Sequence, residues 1–507
     1  MARQAKTRAF PVGQLAAQNP WWAKPESIHD DLNIKTVRDS KVPWIPRLLY
    51  QFDWSADLVY SLRGPRQIGK TTLLKQIIHQ FISKKNYPSD HLFYFNCENL
   101  NTRQEVVSVC ETLVSSIRRR SGKRVYVFLD EISAVPDWQR GIKYLVDTGT
   151  ARQTTILVTG SHSMDIKASA ERMPGRRGQS AEVLDKLMLP MKFSEYVETQ
   201  NPDISTAIRD EGLLEQTARL EAFQKLTVGE IPKAIDKMAS YLNVLRGYYD
   251  QYLVTGGVSP VIDDYLKTGR IDGARYRDYV TAVLGDLSRY NKRETYVRQL
   301  VARLAEVLGT PVSWVSLKKG TDIAHHQTVA DYVDALRDNY TLTYLYKLDL
   351  KKKGPHYEGN KKILFRDPFI FHALRTWAAG QDPFPNTLNF LANSENIGRI
   401  SESVLCDHII RLAFGLTAQK HTYEPTSSVF YWRSKKDREI DFIVRANERL
   451  IPIECKCQEE PQSDDMFAIA EFNSLARGKC GLIVSQDILE VERNAVLIPL
   501  SLFLLLV

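Results

Sequence analysis

The chain has 507 residues, 43% hydrophobic and 25% charged, so it can bury substantial cores and is too long for one; two to four domains of roughly 100–200 residues are expected. Lys and Arg number 68 against 60 Asp and Glu, and the formal net charge of +8 excludes a wholly disordered basic tail protein while permitting, not demanding, nucleic acid. Six cysteines spread over this length cannot form the disulfide framework of a small secreted domain, which points to a reducing cytoplasm. The start, MARQAKTRAFPVGQLAAQNPWW, is basic without a continuous apolar run, so secretion is not expected.

Residues 1–50 read as an N-terminal extension. After it, LVYSL (58–62) predicts a strand and LLKQIIHQFI (73–82) a helix. The loop between them, Gly64-Pro65-Arg66-Gln67-Ile68-Gly69-Lys70-Thr71-Thr72, fits G-x-x-x-x-G-K-[ST] without deviation. Its glycines let successive backbone N–H groups face one anion, and the helix N-terminus adds partial positive charge. Lys70 is expected to reach the outer phosphates of ATP and the Thr71 hydroxyl to ligate Mg²⁺. HLFYFNCEN (91–99) predicts a further strand, and VYVFLDE (125–131) another that delivers Asp130 and Glu131 at its C-terminal end. There Asp130 would hold magnesium and Glu131 would align the attacking water. TILVT (155–159) leads into Gly160-Ser161-His162-Ser163, which makes Ser161 either a γ-phosphate sensor or part of a simple turn. Arg176 and Arg177, in MPGRRG (173–178), are either arginine fingers acting on a neighbouring subunit, which would require a homo-oligomer, or solvated loop charges.

Strand and helix alternate here as in a parallel α/β sheet, with nucleotide at the carboxyl ends of the strands. The segments GPRQIGKTTLL (64–74), LDEISAVPDW (129–138), TGS (159–161), LPMKFSEYV (189–197) and YLVTGGVSPVIDDYL (252–266) resemble the prokaryotic AAA+-like ATPases of the ASCE class that are fused to a C-terminal domain of unknown function. The resemblance implies an ATPase core over 51–203 and covers most of the chain. The extension and the doubled arginine depart from that pattern, and the second leaves open which arginine is the finger.

Residues 204–289 are helical in character and read as a lid or connector. Over 290–375 three predicted helices and a β hairpin follow the order of a winged helix. Residues 290–362 hold 13 Lys and Arg against 8 Asp and Glu, and Lys351, Lys352, Lys353, Lys361 and Lys362 are expected on the wing, where they could neutralise DNA phosphates. Asp331, Asp334 and Asp338 on the would-be recognition helix oppose that, so protein packing remains an alternative.

In 376–507, EIDFIVR (439–445), a turn at 446–449 and LIPIECKC (450–457) predict a hairpin. Alternation gathers Asp441, Glu454 and Lys456 on one face, which is costly to bury unless the groups bind a cation or one another. D-(x12)-E-x-K resembles the restriction-endonuclease-like PD-(D/E)xK signature. It implies that Asp441 and Glu454 hold a second Mg²⁺ or Mn²⁺, that Lys456 orients water, and that Glu402, opening an earlier helix, adds an acid. Cys455 and Cys457 read as core packing, because C-x-C alone is a poor zinc site. The terminal run VLIPLSLFLLLV contains a proline, is too short to span a membrane, and reads as a buried strand.

The expected fold is α/β: a P-loop NTPase parallel sheet with a helical connector, a winged helix and a C-terminal α/β nuclease-like domain. The expected activity is Mg²⁺-dependent ATP hydrolysis that controls the C-terminal half, in a cytoplasmic, DNA-associated homo-oligomer. The alternatives are an ATP-dependent metal nuclease and a nucleotide-switched scaffold or regulator whose nuclease-like fold is inactive.

Overall fold

Five short, almost wholly apolar strands form the first sheet: β1 (Val59–Arg63), β2 (Leu92–Asn96), β3 (Val125–Asp130), β4 (Thr154–Thr159) and β5 (Asp185–Leu187). The computed structural model describes residues 12–118, 122–160, 173, 175–178, 183–416, 425–457 and 461–507, which fall into two compact units, 1–189 and 190–507.

All pairings in the first sheet are parallel, in the order β2-β3-β4-β1-β5. A parallel sheet is covered on both faces, which explains why its strands lack polar alternation. On one face Phe93, Phe95, Val127, Leu129, Ile156 and Val158 pack with the helices α2 (Arg103–Arg118) and α3 (Trp138–Asp147). On the other, Tyr126 and Phe128 meet Phe81 and Trp54, bringing α1 (Lys70–Ser83) over the sheet. The unit is an α/β P-loop fold in which β4 separates the P-loop strand from the acidic strand.

The N-terminal extension is built into this unit. β2 is an edge strand, and its open backbone groups are met by side chains from residues 18–22. Asn19 accepts from the Tyr94 N–H (2.7 Å) and donates to the Tyr94 carbonyl (2.9 Å). Gln18 accepts from Asn96, and the indoles of Trp21 and Trp22 both donate to Leu92 O. An exposed strand edge invites pairing with other chains, and here side-chain amides and indoles occupy it.

The second unit is built on nine strands: β6 (Pro311–Val312), β7 (Leu342–Asp349), β8 (Gly354–Phe365), β9 (Val429–Arg433), β10 (Glu439–Ala446), β11 (Arg449–Lys456), β12 (Gly481–Ser485), β13 (Glu490–Glu492) and β14 (Ala495–Pro499). They form one mixed sheet, ordered β13-β14-β12-β11-β10-β9-β7-β8-β6. Ahead of β7 come the helices α4 (Glu294–Glu306), α5 (Trp314–Lys318) and α6 (His326–Asp338). The β7–β8 hairpin is joined to the later strands through β9, with Tyr346 opposite Phe430, so one sheet takes strands from both sides of residue 375. Further along, α7 (Pro368–Ala379), α8 (Ser394–Leu416) and α9 (Ser463–Ala476) complete the elements used below.

Two expectations change. The terminal run is a strand only to Pro499; beyond it Leu500–Phe503 is helical, and among the described residues no helix is long and apolar enough to cross a membrane. Lys361 and Lys362 do not project from a wing. Both are buried, Lys361 donating to Tyr357 O beside the Trp314 and Tyr346 rings. Lys351, Lys352 and Lys353, at the β7–β8 turn, are exposed.

Candidate functional site

The P-loop runs from the end of β1 into α1. Gly64 has φ +153°, and a Cβ there would overlap the Met188 carbonyl oxygen; Gly69 has φ +97°. Both are positions that only glycine fills without strain. Gln67 adopts a left-handed φ of +58°, which turns the loop tightly. Lys70 is buried, and its Nζ donates to the carbonyls of Gly64 (3.0 Å) and Pro65 (2.7 Å), so it lies over the loop. Arg66 and Ile68 complete the curl, with Ile68 buried.

Asp130, at the end of β3 and 1% exposed, gathers the site. Thr71 Oγ1 donates to its Oδ2 at 2.7 Å, the Tyr94 hydroxyl to the same oxygen at 2.9 Å, and Thr159 to its Oδ1. A hydroxyl and a carboxylate side by side suit Mg²⁺, which keeps waters and phosphate oxygens and takes few protein ligands. Burial, reinforced by the Asp130 charge, pushes the Tyr94 phenol far above its ordinary range, which keeps it a hydrogen-bond donor. Glu131 follows in a left-handed conformation (φ +51°) with its N–H toward Asp130 Oδ1 (3.2 Å) and Thr159 Oγ1 (3.4 Å). A strained non-glycine residue at a strand's carboxyl end is typical of a functional position. Ser161 lies outside the described residues.

Beside the loop, Thr72 Oγ1 donates to Asn33 of the extension (3.2 Å), and the Lys75 Nζ lies 3.3 Å from Asp31 and 3.5 Å from the centre of the Tyr94 ring. The two arginines differ. Arg177 is held in its own unit: Nε donates to Val59 O, and the two terminal nitrogens reach Asp185 (2.9 Å) and Ser61 (3.3 Å). Its guanidinium is therefore engaged on β1 and β5, which weighs against a role in trans. Arg176 is 42% exposed in its side chain and pairs with Asp147 at 3.2 Å.

In the second unit, β10 and β11 meet at a two-residue turn, Asn447-Glu448, and the register of Phe442 with Ile453 sets Asp441 against Glu454. The Asp441 N–H donates to Glu454 Oε2 (3.1 Å) and the Cys455 N–H to Asp441 Oδ2 (2.9 Å). The register with β9 shifts between Ile440 and Ile443, and such a bulge re-aims the Asp441 side chain. Lys456 Nζ lies 3.5 Å from both Glu454 and Asp465. Glu402 does not open its helix; α8 begins at Ser394, and Glu402 comes two turns later.

The sequence reading missed Lys362. Its Nζ, on a side chain 1% exposed, lies 2.6 Å from Glu402, 2.6 Å from Asp441 and 3.1 Å from Glu439. Burial alone would lower its pKa, but these carboxylates more than reverse that and hold it well above the usual lysine range. Burial pushes Glu402 up to about 8 and Glu454 well above its ordinary value, with Asp441 adding to both. A cleft of about 290 Å³ opens beside it, lined by Arg399, Glu402, Asp441, Glu454, Cys455 and Lys456 among others. Cys455 and Cys457 both line this cleft, Cys457 being buried and its Sγ lying 3.5 Å from that of Cys455, so they are not core packing alone.

Residues 56–197 match the family described as an AAA domain, 246–381 a domain of unknown function (DUF8612) and 398–503 another (DUF4143). The chain is similar to an uncharacterized protein of Haemophilus influenzae, 20% identical over 80% of this chain and 84% of that one. It is also similar to the uncharacterized protein MJ1637 of Methanocaldococcus jannaschii, 25% identical over 57% of this chain and 56% of that one. Among solved structures it is similar to a Walker-type ATPase of Pyrococcus abyssi (14% identity, 62% of this chain and 91% of that one, TM-score 0.35) and to the Aeropyrum pernix ORC2 protein (12%, 69% and 94%, 0.33). Residues 56–197 are thus an AAA-type P-loop domain.

Proposed function

We propose that the chain is a Mg²⁺-dependent ATPase whose nucleotide state acts on its C-terminal half, in a cytoplasmic homo-oligomer on or near DNA. The observation that carries this reading is the joining of Thr71 to Asp130, with Glu131 strained beside them at the strand's end. ATP is held by the backbone N–H groups from Gly64 to Thr72, and Lys70 exchanges the Gly64 and Pro65 carbonyls for phosphate oxygens. Thr71 and Asp130 would hold Mg²⁺, which would supply charge neutralisation of the bound phosphates. Glu131 accepts a hydrogen bond from the attacking water and orients it, and Ser161 is close in sequence to the γ-phosphate position. Wild-type protein should turn over ATP with Mg²⁺ and not with EDTA, Lys70→Ala should lose ATP binding, and Glu131→Gln should bind ATP with turnover lowered about 10²- to 10⁴-fold.

Arg176 is the arginine we assign to a neighbouring subunit's γ-phosphate. Mixing Arg176→Ala protein with Glu131→Gln protein should recover hydrolysis in mixed assemblies; no recovery would argue against action in trans. DNA contact, if made by Lys351 to Lys353, should weaken steeply with salt.

Between the two other readings, a specific observation favours the regulator. The ammonium of Lys362 already pairs with Asp441 and Glu402, two of the three acids that a nuclease would use. A nuclease predicts metal-dependent cleavage of plasmid or single-stranded DNA that is lost in Asp441→Ala. The regulator reading predicts no cleavage with Mg²⁺ or Mn²⁺, with or without ATP.

A further inference from the structure

Lys362 reaches the acid cluster from a distant part of the sheet. β9 and β7 lie between β10, which carries Asp441, and β8, which carries Lys362. An ammonium has three N–H donors, and three carboxylates stand around this one, from α8 (Glu402) and from β10 (Glu439 and Asp441). Nζ donates to Glu439 and Asp441 and is ion-paired with Glu402, on a side chain that is almost wholly buried. Among the described residues no group of three or more His, Cys, Asp or Glu is arranged to hold a metal ion.

A divalent ion bound by Asp441 and Glu402 would have to lie between them, at a little over 2 Å from each oxygen. Nζ is already 2.6 Å from both, so ion and ammonium would compete for one position, with like charges and without intervening water. A metal shared by Asp441 Oδ1 and Glu402 Oε1 therefore does not fit these residues. We propose that the Lys362 ammonium is the resident cation of this cluster, standing in the place of a divalent metal and closing Asp441 and Glu402 to it. The acid that Glu402 would add to the metal site of the signature is then held by the lysine instead.

The test uses full-length, nucleotide-free protein carrying Asp130→Asn in every arm, which removes the magnesium carboxylate of the P-loop and makes the outcome independent of the ATPase reading. Free Mn²⁺ is followed by its electron paramagnetic resonance signal, and Tm is measured with and without Mn²⁺. With Lys362 present, neither Mn²⁺ uptake nor the change in Tm on adding Mn²⁺ should depend on Asp441. In Lys362→Ala, about one Mn²⁺ per chain should be taken up with a rise in Tm, since an ion that binds only folded protein stabilises it. A further Asp441→Asn should abolish both. If Lys362→Ala folds only in Mn²⁺, that rescue is the expected result; if it folds in neither condition, Lys362→Gln is measured in the same way. The proposal is overturned by Mn²⁺ uptake in the Lys362 protein that Asp441→Asn removes, or by a folded Lys362 variant that gains neither uptake nor Tm.

Discussion

Lys362 and His408 are buried groups whose partners fix their charge, and each makes a prediction at the scale of one side chain. Removing the Lys362 ammonium leaves carboxylates buried without compensation, which typically costs about 3–5 kcal/mol. Lys362→Ala should lose stability of that order in urea unfolding without metal; a loss below about 1 kcal/mol would mean that the cluster relaxes by taking up protons. His408 is neutral by construction. Its Nδ1 donates to Val404 O (2.8 Å) and its Nε2 accepts the Phe193 N–H (3.1 Å), while burial lowers its pKa to about 4. The unfolded chain binds a proton near pH 6.5 that the folded chain refuses down to about pH 4. Stability is therefore fully present above pH 6.5 and falls by on the order of 3 kcal/mol toward pH 4. The pH dependence of unfolding should be shallower in His408→Gln over that window; identical slopes would contradict the assignment.

At the scale of elements, what could be read depended on how local each contact is. The strand–loop–helix of the P-loop is contiguous, so its glycines, Lys70 and Thr71 were legible, as was the Asp130-Glu131 pair ending an apolar strand. Tyr94 carries no motif, and only the pairing of β2 with β3 brings its hydroxyl to Asp130. The extension was opaque for the same reason: Asn19 and Trp21 act on residues more than 70 positions away. Asn19→Ala should leave the buried Tyr94 N–H and carbonyl without partners, at about 1–3 kcal/mol for each group. Chemical denaturation measures this, and loss of β2 protection in hydrogen exchange would locate it. Unchanged exchange at β2 would refute edge capping as the extension's role. In the hairpin, alternation correctly grouped Asp441, Glu454 and Lys456, but it could not reveal Lys362, which looked like one more wing lysine.

At the scale of the whole molecule, the chain divides into two compact units. Residues 342–365 and 429–456 share one sheet, and the acids of the second stretch take their cation from the first. Residues 376–507 produced alone should therefore fail to fold cooperatively, whereas 190–507 should melt as a unit; a sharp thermal transition in the shorter piece would contradict this. Composition bounded the number of domains but could not see a sheet assembled from strands between Pro311 and Pro499, because register between distant strands leaves no local trace. The net charge of +8 likewise misled in part, since two of the lysines assigned to a nucleic-acid surface are interior. The proposed ATP hydrolysis rests on Thr71, Asp130 and Glu131 acting together. The most direct test is single-turnover ATP hydrolysis with Mg²⁺ by wild-type and Glu131→Gln protein, with nucleotide binding measured in parallel. Equal binding with hydrolysis lost only in Glu131→Gln is the predicted result; hydrolysis that survives the substitution, or wild-type protein that binds no ATP, would contradict it.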